Sequence, residues 1–310
     1  MVRKGLIVGL VNNMPDTALE ATEAQFARLL REASGAHPVE LRVTYLPEVP
    51  RGPEAREFIG QNYWHIEQLT AAPVDALIVT GLEPKAARLV DEPYWRRLAD
   101  LLEWAQRHTS SSIWSCLAAH AAAQHLDGIL RKRLDQKRFG VFEHSLLEGH
   151  PLLAGIAAPL ALPHSRWNEL PVEELRRAGY TLLSWSPETG ADMFLKDTRS
   201  LLIFLQGHPE YEPTTLLKEY RRDVGRYLRG QQDHYPTQPE GYFSAAAAAR
   251  LELFERRARA QRTEDTLAGF PTLDPGGYGG DRWGRAAAQI YRNWLAHVAA
   301  RRTQVEAAAS

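Results

Sequence analysis

A single cysteine, Cys116, occurs among the 310 residues. One thiol cannot close an intrachain disulfide or supply a multi-thiolate zinc or iron–sulfur site, and such sparing use of cysteine fits a reducing cytosol. No apolar run approaches the roughly 20 residues of a membrane-spanning helix. The opening Met1-Val2-Arg3-Lys4 leads into a strand pattern instead of a signal peptide. Neither sign of charge dominates: 37 Lys and Arg stand against 38 Asp and Glu, a formal net charge of -1. A near-neutral chain lacks the overall basic field that nucleic acid attracts, so small molecules are the default partner. The C-terminal quarter suggests neither a repeat nor a phosphate-binding loop. The expectation is a soluble, cytoplasmic protein with no membrane or nucleic-acid partner.

What is present is a sizeable apolar fraction, 44%, enough for one large domain or two small ones. A continuous apolar run of strand length covers residues 5–11, and further strand candidates lie at 39–46, 76–80, 112–115, 181–186 and 201–206. Helical periodicity follows the first run as far as residue 33, with Leu19, Phe26, Leu29 and Leu30 on one stripe, and recurs at 94–107, 117–126 and 214–228. This rhythm implies an α/β fold, a mostly parallel sheet with helices on both faces and right-handed crossovers. Ligands of such sheets bind at the carboxyl ends of the strands. Residues 1–230 read as the α/β domain and 231–310 as an extension. The extension has a helix at 244–262, a flexible connection at 264–282 containing Gly276-Gly277-Tyr278-Gly279-Gly280, and a last helix near 285–301. That last helix is expected to pack back through Ile290, Trp294 and Leu295.

Chemistry is therefore expected where strands end. Cys116 follows Ile113-Trp114-Ser115 and precedes the helix beginning near Leu117, the strand-turn-helix setting of a nucleophile elbow. A helix N-terminus carries partial positive charge and free N–H groups, which favour a thiolate and can hold an oxyanion. A buried cysteine acting as a small hydrophobe is the competing reading. The apolar run 201–206 delivers Gly207-His208-Pro209-Glu210-Tyr211 to the same edge. A cysteine nucleophile needs a base, and the base needs an orienting acceptor. Cys116, His208 and Glu210 have the chemistry of such a triad.

These residues, together with Asn13-Met14-Pro15, Gly140-Val141-Phe142-Glu143-His144, Pro163-His164-Ser165-Arg166, Glu219-Tyr220 with Arg222-Asp223, and Asn293-Trp294-Leu295, resemble the homoserine O-acyltransferase family, the homoserine transsuccinylases of methionine biosynthesis. The resemblance spans nearly the whole chain. It implies the flavodoxin-like fold shared with the glutaminase domains of class I amidotransferases, no bound cofactor or metal, and a homodimer. The implied reaction is transfer of an acyl group from acyl-CoA, as co-substrate, to the hydroxyl of a hydroxy amino acid through an acyl-cysteine. Cys116 would be the nucleophile, His208 the base and Glu210 its orienter. Backbone N–H groups of Leu117 and of the Gly81-Leu82 loop would hold the oxyanion. Lys137, Ser165 and Arg222 fall at substrate-contact positions, with Arg222 for the α-carboxylate, and Lys85 at the position that helps choose between acetyl and succinyl donors.

Three positions depart from the family pattern. Asp16-Thr17-Ala18 stands where a lysine pair is usual, so a cation is missing there; His120 replaces a glutamine; and Lys85 replaces glycine or glutamate. Two other classes remain open from residues alone. One is a glutamine-hydrolysing amidotransferase, against which Ser115, Leu117 and His120 differ from the usual glycine-flanked elbow with a glutamine four residues on. The other is a binding protein that has kept the fold without the activity.

Overall fold

The computed structural model describes residues 5–147, 149–274 and 281–309. Met1-Val2-Arg3-Lys4 and the whole run Gly276-Gly277-Tyr278-Gly279-Gly280 lie outside the described residues. Along the chain come β1 (Leu6–Val11), α1 (Leu19–Ala33), β2 (Val39–Thr44), α2 (Pro53–Asn62), α3 (Ile66–Ala71), β3 (Ala76–Val79), α4 (Trp95–His108), β4 (Ser111–Ser115) and α5 (Leu117–Asp127). They are followed by β5 (Lys132–Leu146), β6 (Leu160–Glu169), α6 (Val172–Arg177), β7 (Thr181–Leu182), β8 (Ser184–Ser186), β9 (Gly190–Ala191), β10 (Met193–Asp197) and β11 (Leu201–Leu205). Three helices finish the chain: α7 (Thr215–Leu228), α8 (Ala245–Ala260) and α9 (Gly284–Ala309).

Seven strands form one sheet in the order β2-β1-β3-β4-β11-β10-β7. The first five run parallel, and β10 is antiparallel to both of its neighbours. Strand periodicity sends alternate residues to opposite faces, and both faces are covered. On β11, Leu201, Ile203 and Leu205 enter one apolar cluster, while Leu202 and Phe204 enter the other. On β4 the split is Ile113 against Trp114. This two-faced burial is why β11 reads as an unbroken apolar run. Among the described residues no helix is long and apolar enough to cross a membrane.

A second, four-stranded antiparallel sheet, β6-β5-β8-β9, stands beside the first. The expected single strand at 181–186 is divided between the two sheets. Thr181 and Leu182 pair with β10, whereas Ser184 and Trp185 pair with β5. At the break, Leu183 donates to Met193 and accepts from Leu147.

The stretch from 264 on is more ordered than expected. Glu264–Gly269 is a 3-10 helix, and Leu267, Phe270 and Leu273 pack against the apolar cluster. Beyond it, α9 returns to α1 and buries Ile290, Trp294 and Leu295, with Trp283 just before it, in the cluster that holds Leu6, Leu10 and Ile203. The Trp294 indole N–H donates to Ser111 Oγ at 2.9 Å, tying this helix to the first residue of β4.

Trp294→Ala is expected to cost about 3–5 kcal/mol of unfolding free energy, the range for emptying a buried aromatic site. Trp294→Phe, which keeps most of the volume, should cost only about 1–2 kcal/mol for the lost hydrogen bond. Urea unfolding measures both; equal costs for the two variants would place this side chain outside the packed core.

Candidate active site

Cys116 is the only described non-glycine residue with positive φ, at 51° with ψ of -113°. Strand β4 ends at Ser115 and α5 begins at Leu117, so the chain reverses direction within one residue. The turn is held by the Cys116 N–H, which donates to the Leu205 carbonyl at the end of β11 at 2.7 Å. Left-handed backbone at a non-glycine residue is strained, and surrounding structure must impose it. Gly81, just past β3, closes the other side. A methyl group there would stand 3.1 Å from the Leu117 nitrogen and 3.3 Å from Cys116 Cβ. The loop carrying Gly81 and half-buried Leu82 therefore lies against the first free N–H of α5.

Because β4 and β11 are neighbours with Ser115 opposite Leu205, the segment leaving β11 passes the elbow. His208 and Glu210 are both buried, and Nδ1 of His208 meets Glu210 Oε1 at 2.8 Å. With Nδ1 donating to the carboxylate, Nε2 is the free ring nitrogen, and it has no hydrogen-bond partner. Burial works against a charged imidazole here. The Glu210 carboxylate and the Cys116 sulfur outweigh burial and hold the His208 pKa well above its usual value. Tyr211 stacks on the imidazole with ring centroids 4.4 Å apart.

The base is also fixed through its backbone. Gly207 N–H donates to Asp192 Oδ1 at 2.7 Å, and His208 N–H donates to the Pro163 carbonyl at 2.8 Å. Asp192 is in turn 3.4 Å from His164 Nε2, and a wholly buried network continues from there. His144 Nδ1 faces the Leu160 carbonyl at 3.2 Å and must carry a proton; its Nε2 then accepts from Thr189 Oγ1 at 2.8 Å and faces His164 Nε2 at 3.3 Å. Arg166 Nε donates to His164 Nδ1 at 3.3 Å. Both histidine tautomers follow from these partners, and every ring nitrogen of the pair is used. The three side chains His144, His164 and Asp192 have the proximity of a metal site, but their ligand atoms are committed to this network. Burial, followed by the charge of Arg166, pushes the His164 pKa well below its usual value.

The positions given by resemblance to the acceptor amino acid come together from three elements. Lys137 on β5, Ser165 on β6 and Arg222 on α7 surround two acids. Lys137 Nζ donates to Asp223 Oδ2 at 3.1 Å and lies 3.8 Å from Glu219 Oε2. Arg222 pairs with Asp223 at 2.9 Å and with Glu219 at 3.8 Å. Ser165 Oγ and the Tyr211 hydroxyl donate to the two oxygens of Glu219. Burial alone would lower the Arg222 pKa, but Glu219 and Asp223 raise it and keep the guanidinium charged. Glu219 and Tyr211 stand within the motifs quoted above, where neither was given a role in the site. The available signal was the spacing of Glu219 three residues before Arg222 on one helix face.

Three peripheral positions have partners of their own. His120 is buried on α5; its Nε2 bonds Gln206 Oε1 at 2.9 Å, and that oxygen also accepts from Leu170 N–H. Lys85 has an exposed side chain, and what shapes its loop is Glu92, whose Oε1 accepts the backbone N–H groups of Lys85 and Ala86. The missing cation after β1 is replaced from elsewhere. Arg51, with a side chain only 4% exposed, donates to the carbonyls of Met14 and Asn12 and pairs with Asp16 at 3.2 Å.

Burial lowers the His120 pKa to about 3. A depressed histidine contributes stability above its unfolded value near 6.5 and loses it as pH falls. His164 acts in the same direction. The raised His208 is protonated in both states below that pH and adds no slope there. Urea unfolding between pH 6.5 and 5 should therefore show a loss that, for His120 alone, approaches about 1.4 kcal/mol per pH unit. His120→Gln should remove that share; an unchanged slope would mean that His120 is charged in the folded protein.

With the geometry in place, comparison with known proteins is informative. The family model for homoserine O-succinyltransferase matches residues 2–305. A homoserine O-succinyltransferase of Methylorubrum extorquens is 46% identical over 300 residues, covering 97% of this chain and 89% of that protein. One of Thiothrix nivea is 39% identical, covering 94% and 82%. Among solved structures, a glutamine amidotransferase of Methylobacillus flagellatus superposes with a TM-score of 0.52 at 16% identity, covering 96% of each chain. Another from Thermotoga maritima gives 0.52 at 13% identity, covering 96% of this chain and 99% of that one. These structures share the class I glutamine amidotransferase-like fold. By the match along nearly its full length, the chain belongs to the homoserine O-succinyltransferase family.

Proposed function

We propose that this chain transfers a succinyl group from succinyl-CoA to the side-chain hydroxyl of L-homoserine through a thioester on Cys116, a step of methionine biosynthesis. The observation that carries the reading is the buried His208–Glu210 pair beside a cysteine held in a strained elbow. In the first half-reaction the Cys116 sulfur attacks the thioester carbonyl. The new carbon–sulfur bond forms as the bond to CoA breaks, and the CoA sulfur leaves with the proton held by His208. The oxyanion formed on the way faces the N–H of Leu117 and that of Leu82 in the Gly81 loop.

In the second half-reaction the homoserine hydroxyl attacks the acyl-cysteine. Nε2 of His208 takes the hydroxyl proton, Glu210 holds the imidazole by Nδ1, and the Cys116 sulfur is released. No other co-reactant is needed, because the thioester drives ester formation. The acceptor is gripped by its head group. Arg222 meets the α-carboxylate as a planar bidentate donor. Glu219, with lone pairs left after accepting from Ser165 and Tyr211, meets the α-ammonium. Lys137 and Ser165 fix Glu219 in place.

Intact-mass measurement after mixing with succinyl-CoA should show one added succinyl group on the wild type and none on Cys116→Ala. Cys116→Ser should lose at least about 3 kcal/mol of transition-state stabilisation, and His208→Ala should nearly abolish transfer. Glu210→Gln should lower kcat with donor KM little changed. Near-normal turnover by Cys116→Ala would end the covalent reading, and ammonia release from glutamine would move the chain to the amidotransferases.

Donor choice is assigned to the loop after Gly81. An ammonium at Lys85 attracts the free carboxylate of a succinyl group and offers an acetyl group nothing comparable. Lys85→Glu should lower the succinyl-to-acetyl ratio of kcat/KM by roughly tenfold, the lower end of a charge-assisted contact. An unchanged ratio would leave Lys85 a surface residue.

A further inference from the structure

Helix α7 buries Leu216, Tyr220, Val224 and Tyr227 and turns a different stripe outward. Lys218, Arg221, Arg222, Gly225 and Arg229 follow one another at helical spacing, and together with Leu267 they line an open cavity of about 320 Å³. Four of its six lining residues are cationic and none is acidic. In a chain of net charge -1 this is a local concentration, not a share of general basicity. Like charges at this spacing repel one another along a helix, so nothing in helix stability favours the arrangement.

Local partners neutralise only part of the charge. Arg222 is turned inward to Asp223 and Glu219, and Arg229 lies 3.5 Å from Glu264. Among the described residues, Lys218 and Arg221 make no ion pair; the Arg221 guanidinium lies 5.8 Å from the centre of the Phe270 ring. The absence of a side chain at Gly225 keeps the floor of the cavity low. A methyl group there would come within 3.2 Å of the Arg229 guanidinium and 3.3 Å of a Leu267 methyl. The cavity also shares a wall with the proposed acceptor site. Arg222 lines it while reaching Glu219, Glu219 accepts from Tyr211, and Tyr211 stacks on His208.

We infer that this cavity binds the phosphate-bearing adenosine end of the CoA donor. The inference rests on succinyl-CoA being the donor. Arginine and lysine around an uncharged floor suit several phosphate groups held close together, and Leu267 gives an apolar edge for the adenine. A volume of this size lies at the lower end of small-ligand sites. The long pantetheine arm of CoA then spans from the phosphates, past Arg222, to the thioester at Cys116.

The test compares succinyl-CoA with a truncated donor, S-succinyl-N-acetylcysteamine, which lacks the nucleotide and its phosphates. The wild type should prefer succinyl-CoA in kcat/KM, and the double variant Lys218→Glu/Arg221→Glu should lose at least about tenfold of that preference. The loss should appear in KM for succinyl-CoA and not in kcat. Lys218→Arg/Arg221→Lys should restore the preference, and equal urea midpoints would show that both variants are folded. Adenosine 3′,5′-bisphosphate should compete with succinyl-CoA on the wild type, more weakly as salt is raised and more weakly on the charge-reversed variant. If the wild type uses succinyl-CoA and loads Cys116, yet charge reversal leaves the donor preference unchanged or the bisphosphate fails to compete, this inference is wrong and the acyltransfer reading stands. If succinyl-CoA neither loads Cys116 nor supports turnover, both fall.

Discussion

The hydrogen bond from the Cys116 N–H to the Leu205 carbonyl joins the ends of two adjacent parallel strands, and the geometry of the site depends on it. It fixes the one strained non-glycine residue among those described, with φ of 51°, at the point where β4 gives way to α5. It also sets the distance between the thiol and the segment that carries His208, since the same register places Ser115 opposite Leu205. Strain of this kind persists only when its surroundings over-determine it. Here the surroundings are the β11 carbonyl on one side and Gly81 on the other, where any side chain would press on the Leu117 nitrogen.

The second sheet explains how the base stays in position. A parallel sheet alone delivers His208 to its edge but leaves the following segment free to turn. Pro163 on β6 takes the His208 N–H, and Asp192, just before β10, takes the Gly207 N–H. Asp192 is buried, so its own surroundings must satisfy it, and they do so through His164, Ser184 Oγ and the Gly207 amide. The histidine pair behind it, with Arg166, spreads the burden of a buried carboxylate over hydrogen bonds. Gly207 is required at this junction, since a Cβ there would stand 2.6 Å from Asp192 Oδ1 and 3.0 Å from His164 Nε2.

Next to this network, α7 does two things with one stretch of sequence. Glu219, Arg222 and Asp223 form the charged cluster that meets Lys137 and Ser165, while Lys218, Arg221 and Arg229 line the cavity on its other side. The same period of 3.6 residues that buries Leu216, Tyr220 and Val224 thus sorts the acids toward the active site and Lys218 and Arg221 away from it. Arg222 belongs to both sides.

Read from its residues, the chain discloses what local periodicity and near neighbours control. The strands that are buried on both faces stand out as apolar runs, the elbow is marked by a cysteine between a strand and a helix, and His208 and Glu210 are two residues apart on a strand end. Each is a short-range pattern, and each matches the structure within a residue or two at its ends. Resemblance supplied Lys137, Ser165 and Arg222 as positions, without saying what they touch. Only the tertiary structure decided that they meet at Glu219 and Asp223, that His120 bonds Gln206, that Arg51 fills the gap after β1, and that residues 181–186 divide between two sheets. Strand β5 was invisible because it opens with Lys132, Arg133, Asp135, Lys137 and Arg138, a polar series with no alternation to mark it. Such contacts join residues tens of positions apart, so they depend on how the sheets close on one another, and no periodic signal within a single segment encodes that closure.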